Sequence, residues 1–223
     1  MKNRINFLRI NLVLLAILPI LAIAGDLPEV TSDGLHLKKQ SELGAVWVEP
    51  GASLEAYNRV LLIDAYVAFA KDWQRDYNRD QRSLSGQVSD SDMQDIKEKV
   101  ADQFKRIFTE ELEEGGYEIA TEIGPDVMIL RPAIINLVVT APDVATAGRT
   151  RTIVSEAGEL TLYAELYDSV TNAKFALVMD AEVAGDYGYG RVANRVTNRQ
   201  ALDDTLKYWA DLLRKRLDEA HGK

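Results

Sequence analysis

The chain has 223 residues, with 26 Lys and Arg against 35 Asp and Glu, and no cysteine. That length suits one domain with a sizeable core, and the missing cysteines exclude disulfides and thiol chemistry, so packing and hydrogen bonds must hold the fold. A formal charge of −9 opposes phosphate at long range and argues against a general role in binding nucleic acid or anionic membranes.

Residues 1–9 carry Lys2, Arg4 and Arg9 and no acid, and residues 10–24, INLVLLAILPILAIA, are apolar apart from Asn11. A basic start, a short apolar run and small residues at Ala22 and Ala24 read as a secretory signal peptide. The rival reading is an uncleaved membrane anchor. As a helix the run reaches only about 22 Å, short of a hydrocarbon core of about 30 Å, and Pro19 interrupts it. Cleavage is therefore expected after Ala24. It removes three basic residues and no acid, taking the charge from −9 to −12. No later stretch approaches eighteen apolar residues, so no transmembrane segment is expected after cleavage. The expected organisation is a signal peptide over 1–24, an N-terminal tether over 25–44 and one domain over 45–223, with a periplasmic location.

AVWVEP (45–50) is a short strand stopped by Pro50-Gly51. NRVLLIDAYVAF (58–69) alternates, with Leu61, Ile63, Ala65, Val67 and Phe69 on one side, and reads as a half-buried strand. Residues 70–89 are charged, lack an apolar period and read as a long connection carrying Trp73 and Tyr77. A helix is expected over about 92–114, with Ser91 and Gln94 as a capping box and Val100, Phe104, Ile107, Phe108 and Leu112 on its apolar face. Gly115-Gly116 ends it.

YEIA (117–120) is a short strand. VMILRPAIINLVVT (127–140) is nearly continuous and β-branched, as in a central strand, with Pro132 hinting at a bulge. GELTLYAELY (158–167) puts Leu160, Leu162, Ala164 and Leu166 on one face, and KFALVMDAEV (174–183) is expected to turn Phe175, Leu177, Met179, Ala181 and Val183 inward. Between them DSVTNA reads as a hairpin turn with Asn172 placed for the left-handed conformation. A last helix is expected over about 198–220, capped by Thr197 and Gln200, with Leu202, Leu206, Trp209, Leu213 and Leu217 as its stripe. The fold class that follows is α+β: a two-layer sandwich, a mainly antiparallel sheet of four to five strands with two long helices packed on one face and the other face exposed.

Three stretches taken together, NRVLLIDAYVAFAKDWQRDYNR, ELTLYAELYDSVTNAKFALVMD and KYWADLLRKRLDEA, resemble domain-of-unknown-function family 3313, a family of bacterial envelope lipoproteins. The likeness runs from about Asp33 to Glu219. It implies a cell-envelope location and carries over no catalytic residue. Members commonly have a lipidated cysteine after the signal; Gly25 stands at that point here.

Little in the sequence points to chemistry. Nucleophilic hydrolysis needs a base beside the nucleophile, and the two histidines, His36 and His221, lie near the ends of the chain. A zinc site needs clustered His or Cys. Asp90, Asp92 and Asp95 form a calcium-like group that reads more simply as the acidic first turn of a helix. Asp64, Glu165, Asp180 and Glu182 are placed on the exposed sheet face, where acid–base work would require burial to raise their pKa values. The glycines of GDYGYGRVANR (185–195) match no phosphate-loop spacing. No catalytic residue, cofactor or metal site is expected.

The function expected is that of an exported non-catalytic envelope protein, a protein-binding or assembly-accessory module. The alternative is a periplasmic small-ligand binder or degenerate enzyme using the exposed sheet face. The candidate partner edge comes from topology. If the three long strands alternate in direction, the loop carrying Arg149 and Arg151 meets the segment carrying Tyr187, Tyr189, Arg191 and Arg195, with Arg199 opening the last helix. Arg and Tyr anchor interfaces well, so this edge is a candidate site for an acidic envelope protein or anionic envelope polymer. The plainer reading is a pair of surface loops with solvated arginines.

Overall fold

The computed structural model describes residues 27–81, 86–140, 142, 152–154, 158–184, 191–193 and 195–223. The elements in order are β1 (His36–Leu37), β2 (Ala45–Val48), β3 (Arg59–Leu62), β4 (Tyr66–Phe69), α1 (Trp73–Asp80), α2 (Asp90–Glu114), β5 (Glu118–Ile119), β6 (Val127–Val139), β7 (Thr152–Val154), β8 (Gly158–Asp168), β9 (Lys174–Ala184), β10 (Arg191–Ala193) and α3 (Arg195–His221). The class is α+β. The main sheet has eight strands in the order β1-β2-β9-β8-β6-β3-β5, with β4 also on β6, while β7 and β10 form a separate pair.

The three long strands alternate in direction, β6 against β8 and β8 against β9. The hairpin between β8 and β9 closes with Asn172 at φ 57°, and Asp168 accepts from the Val170 and Thr171 amides. The sheet is larger and more mixed than four to five antiparallel strands. The alternating run at 58–69 is two strands, β3 and β4, both parallel to β6. The break at Ile63–Ala65 changes the parity of the first half, so Val60 and Leu62 are buried in place of Leu61 and Ile63.

Pro132 sits in register opposite Ala164 and forms no bulge. The Leu130 carbonyl accepts from Ile63, so Leu130 and, two residues on, Pro132 face the β3–β4 side. There the ladder passes from Leu62 on Leu130 to Tyr66 on Ala133, so the proline's missing donor falls where the neighbouring strand is interrupted. The bulge lies later, between Ile135 and Val138, where Asn136 takes φ 52°.

Helices α2 and α3 cover one face of the sheet. The α2 capping box is Ser89 with Asp92: the Ser89 hydroxyl accepts from the Asp92 amide at 3.2 Å, and Asp92 accepts from the Ser89 amide at 2.8 Å. Ser91 and Gln94, the pair expected from the sequence, lie inside the helix. Helix α3 begins before the expected cap at Thr197. Phe104 (0% exposed) and Trp209 (2%) are packed into this layer, with Phe104 stacked on Phe108. The charged stretch read as a connection contains the helix α1, held to the body by stacking of Phe69, Trp73 and Tyr77 in series.

The opposite face is partly covered. Leu35, Ala45 and Trp47 are buried together with Leu177 and Met179 against them, and the Trp47 indole donates to the Pro28 carbonyl at 2.8 Å. From Leu27 onward, the stretch read as a tether thus packs on the sheet and adds β1 to its edge. This fixes the parity of β9 opposite to the expected one. A register shift at Phe175 puts both Phe175 and Ala176 on the helix face. Beyond it Val178, Asp180 and Glu182 face the helices, while Leu177 and Met179 face the N-terminal segment.

Candidate functional site

Between α3, the end of α2 and the β2–β9–β8 part of the sheet lies a cleft of about 470 Å³. Its floor is sheet: Val46 and Val48 of β2, Val178 of β9, and Leu162 and Leu166 of β8. Its roof is helix: Phe108, Trp209, Leu212 and Leu213. The chain on either side of β2, residues 38–43 and 52–54, forms the outer wall. The edge strand β2 widens the floor beyond β9. The apolar face left over is this cleft.

The wall is fastened from three directions. The Gly44 amide donates to Asp180 Oδ1 and the Trp209 indole donates to Asp180 Oδ2, both at 2.7 Å. The Tyr208 hydroxyl donates to the Glu42 carbonyl at 3.2 Å, and Arg216 lies 3.6 Å from the Glu42 carboxylate. Gly44 eases a close approach: a Cβ there would stand 3.2 Å from Asp180 Oδ1 and 3.3 Å from the Met179 carbonyl, tight enough that these neighbours would have to shift by a few tenths of an ångström. Asp180 is buried, with one oxygen on each donor. Burial, then the Asp180 charge and a hydrogen bond with Asp180, push the neighbouring Glu182 carboxyl above the usual carboxylate range. Two acids close together are an arrangement that can serve proton transfer, but here both Asp180 oxygens are engaged in fixing the wall.

A second polar group lies on the far face of the sheet. Glu165 is buried and accepts from Tyr167 Oη at 2.9 Å, with the Lys174 ammonium at 2.8 Å and Arg131 at 3.7 Å. Lys174 also reaches Asp33 at 2.5 Å, tying the N-terminal segment to the hairpin. Burial works against the Lys174 charge, yet its bonds to Asp33 and Glu165 hold the ammonium above its ordinary range. Burial and the Glu165 charge push the Tyr163 phenol up to about 12. Every charged member has an opposite charge at hand, which is the pattern of a structural network.

Of the four carboxylates expected on the exposed face, Asp64 is exposed and pairs with Lys105 at 2.7 Å, and Glu165 is buried on the far face. Asp180 and Glu182 are on the helix face, because the parity of β9 is reversed. Asp90, Asp92 and Asp95 open α2, where Asp92 caps. Among the described residues no group of three or more His, Asp and Glu is arranged to hold a metal ion, and no helix is long and apolar enough to cross a membrane. His221 Nδ1 is 2.7 Å from the Leu217 carbonyl, at the end of α3.

Of the candidate edge, Arg149, Arg151, Tyr187 and Tyr189 lie outside the described residues, as does most of the glycine-containing stretch 185–195. Arg191 falls in β10 and Arg195 opens α3; their side chains are likewise outside the description. The backbone brings the two segments together, since β7 pairs antiparallel with β10, Arg191 opposite Val154. Arg199 is exposed and borders a smaller hollow of about 270 Å³ between the starts of α2 and α3. The cleft itself was missed by sequence reasoning. The signals available were an acid, Asp180, in an apolar strand, and a lone glycine, Gly44, directly before a strand.

Helices on one face of a mixed sheet, with an apolar cleft at one edge, define an α+β protein. The chain belongs to the protein-of-unknown-function family DUF3313, whose family model matches residues 30–213. No curated protein matches it. Similar solved structures include a single-residue variant of the PelC dodecamer from Paraburkholderia phytofirmans, at 10% identity and TM-score 0.38, covering 78% of this chain and 98% of that one. The PelC dodecamer in another crystal form gives 10% identity and TM-score 0.37, over 77% of this chain and 95% of that one. Protein XCC0632 from Xanthomonas campestris gives 14% identity and TM-score 0.35, over 74% and 85%.

Proposed function

We propose that this is an exported, non-catalytic cell-envelope protein that acts by binding, and that the helix–sheet cleft is where it binds. The observation that carries this reading is the cleft: about 470 Å³, walled by Val, Leu, Phe and Trp side chains, with charged groups confined to its rim. That size and lining are those of sites that bury most of a small ligand. The polar groups nearest it support binding over chemistry, because they are committed to structure. Asp180 holds the Gly44 amide and the Trp209 indole, and Arg216 holds Glu42 and Glu219. The basic and apolar start of the chain supports export.

The test uses protein recovered from the periplasm after expression of the full chain. Its intact mass is expected to begin at Gly25. Titrated with the neutral probe N-phenyl-1-naphthylamine, it is expected to give a saturable rise in fluorescence. Ala176→Leu and Leu213→Trp, filling the cleft from the sheet and from α3, are each expected to suppress the rise while leaving circular dichroism unchanged. A mass retaining residues 1–24 contradicts export with cleavage. Undiminished probe binding in both folded variants contradicts the cleft.

A further inference from the structure

We propose that the cleft takes a single-chain anionic amphiphile, its acyl chain along the apolar floor and its carboxylate or phosphate at the mouth beside Lys38. This rests on the cleft being the binding site and adds the chemical class of the occupant. The interior offers a ligand carbon alone: Leu162, Val178 and Phe175 below, Phe108, Trp209 and Leu213 above. Any charge on the ligand must therefore remain at the rim, since an unpaired charge among such side chains would lose its hydration with nothing in return.

Two charges of each sign stand on the rim, and one of the four lacks a partner among the described residues. The two acids, Glu42 and Glu219, both lie on Arg216, at 3.6 Å and 2.8 Å. Lys38 borders the same cleft, is exposed, and has no acid partner among the described residues. Two rim hydroxyls point the same way. Ser41 Oγ accepts from the Leu43 amide at 3.0 Å and Ser53 Oγ accepts from the Glu55 amide at 3.1 Å. Each hydroxyl has used one of its two lone pairs and keeps its hydrogen to donate to a ligand, beside the second lone pair. The groups left free at the mouth among the described residues are thus one charge, the Lys38 ammonium, with the two hydroxyls and the Gln40 amide as neutral groups able to donate. On a chain carrying 35 acids against 26 bases, this is a place where an anionic oxygen headgroup is complemented.

The experiment compares four ligands sharing one dodecyl chain, titrated calorimetrically into the exported protein below their micelle concentrations: laurate, dodecyl phosphate, dodecylphosphocholine and dodecanol. At least one of the two anions is expected to bind about fivefold or more tighter than dodecanol, the scale of an exposed but well-formed charge pair. Lys38→Gln is expected to remove most of that preference and leave dodecanol binding unchanged; Lys38→Glu is expected to reverse it. Stronger binding of dodecyl phosphate assigns the headgroup to a phospholipid, and stronger binding of laurate assigns it to a fatty acid. Equal binding of anions and dodecanol, or a preference that survives Lys38→Gln, overturns the headgroup assignment while leaving the cleft intact. Binding of the naphthylamine probe with none of the four alkyl ligands overturns the acyl chain. Failure of the probe as well removes the cleft reading on which this one stands.

Discussion

Asp180 shows how much one side chain can decide. It lies in a strand of mostly apolar residues and takes a main-chain donor on one oxygen and an indole on the other. A buried carboxylate without such donors would cost several kcal/mol, so the two bonds are the condition for its being there at all. Glu182, two residues on, faces the same side with burial and the Asp180 charge against it, and its carboxyl is raised. An acid with a folded pKa above its unfolded value is neutral in both states at low pH. As pH rises from the unfolded pKa to the folded one, the unfolded chain ionises first and stability is lost, the full loss being reached above the folded pKa. Glu182→Gln keeps a donor for Asp180 and cannot ionise. The variant is expected to match the wild type in urea midpoint well below the carboxylate range and to exceed it at neutral pH. An equal difference at both pH values, or a less stable variant at neutral pH, would show that Glu182 carries no such penalty. The sequence shows an acid in an apolar strand but not which way it faces, because whether such an acid is solvated or buried depends on parity. The parity of β9 is set by a register shift at Phe175 and by Trp47 claiming Leu177 and Met179 from the other side.

Among the elements, those with a local cause were legible and those with a tertiary cause were not. Helix α2 has an apolar face at threes and fours and ends at Gly115-Gly116, and β8 alternates cleanly; both are where the sequence puts them. The hairpin at Asn172 was legible because few residues tolerate that backbone region. Helix α1 escaped because its one apolar signal is a pair of aromatics four apart, Trp73 and Tyr77, among charged and polar residues; its reason is the stack of Phe69, Trp73 and Tyr77, which reaches back into β4. The split of 58–69 into β3 and β4 escaped because parallel pairing to β6 is non-local. The α2 cap was displaced by two residues, since Ser89 and Ser91 both precede an acid or amide at the right spacing. The choice is testable: Ser89→Ala removes the reciprocal pair with Asp92 and is expected to cost about 1 kcal/mol in a urea melt, while Ser91→Ala is expected to cost a few tenths or less. The reverse order would place the cap where the sequence alone put it.

At the scale of the whole molecule, two helices cover one face of a sheet broader than they are, and the chain around β2 walls off what remains. The sequence could indicate the layers, from their stripes, but not a mismatch in width between layers, which is a property of the assembled sheet. The N-terminal segment adds to that width by pairing β1 with β2 on the far edge and anchoring Asp33 to Lys174. The account's central claim is that the cleft so formed is the binding site. Methyl NMR of the protein titrated with N-phenyl-1-naphthylamine tests it most directly. The account predicts shifts concentrated at Leu43, Leu54, Val178, Leu212 and Leu213, which line the cleft, with Ile63, Ile123 and Val170, exposed elsewhere, unmoved. Shifts centred on those exposed residues, with the cleft methyls unmoved, would contradict it.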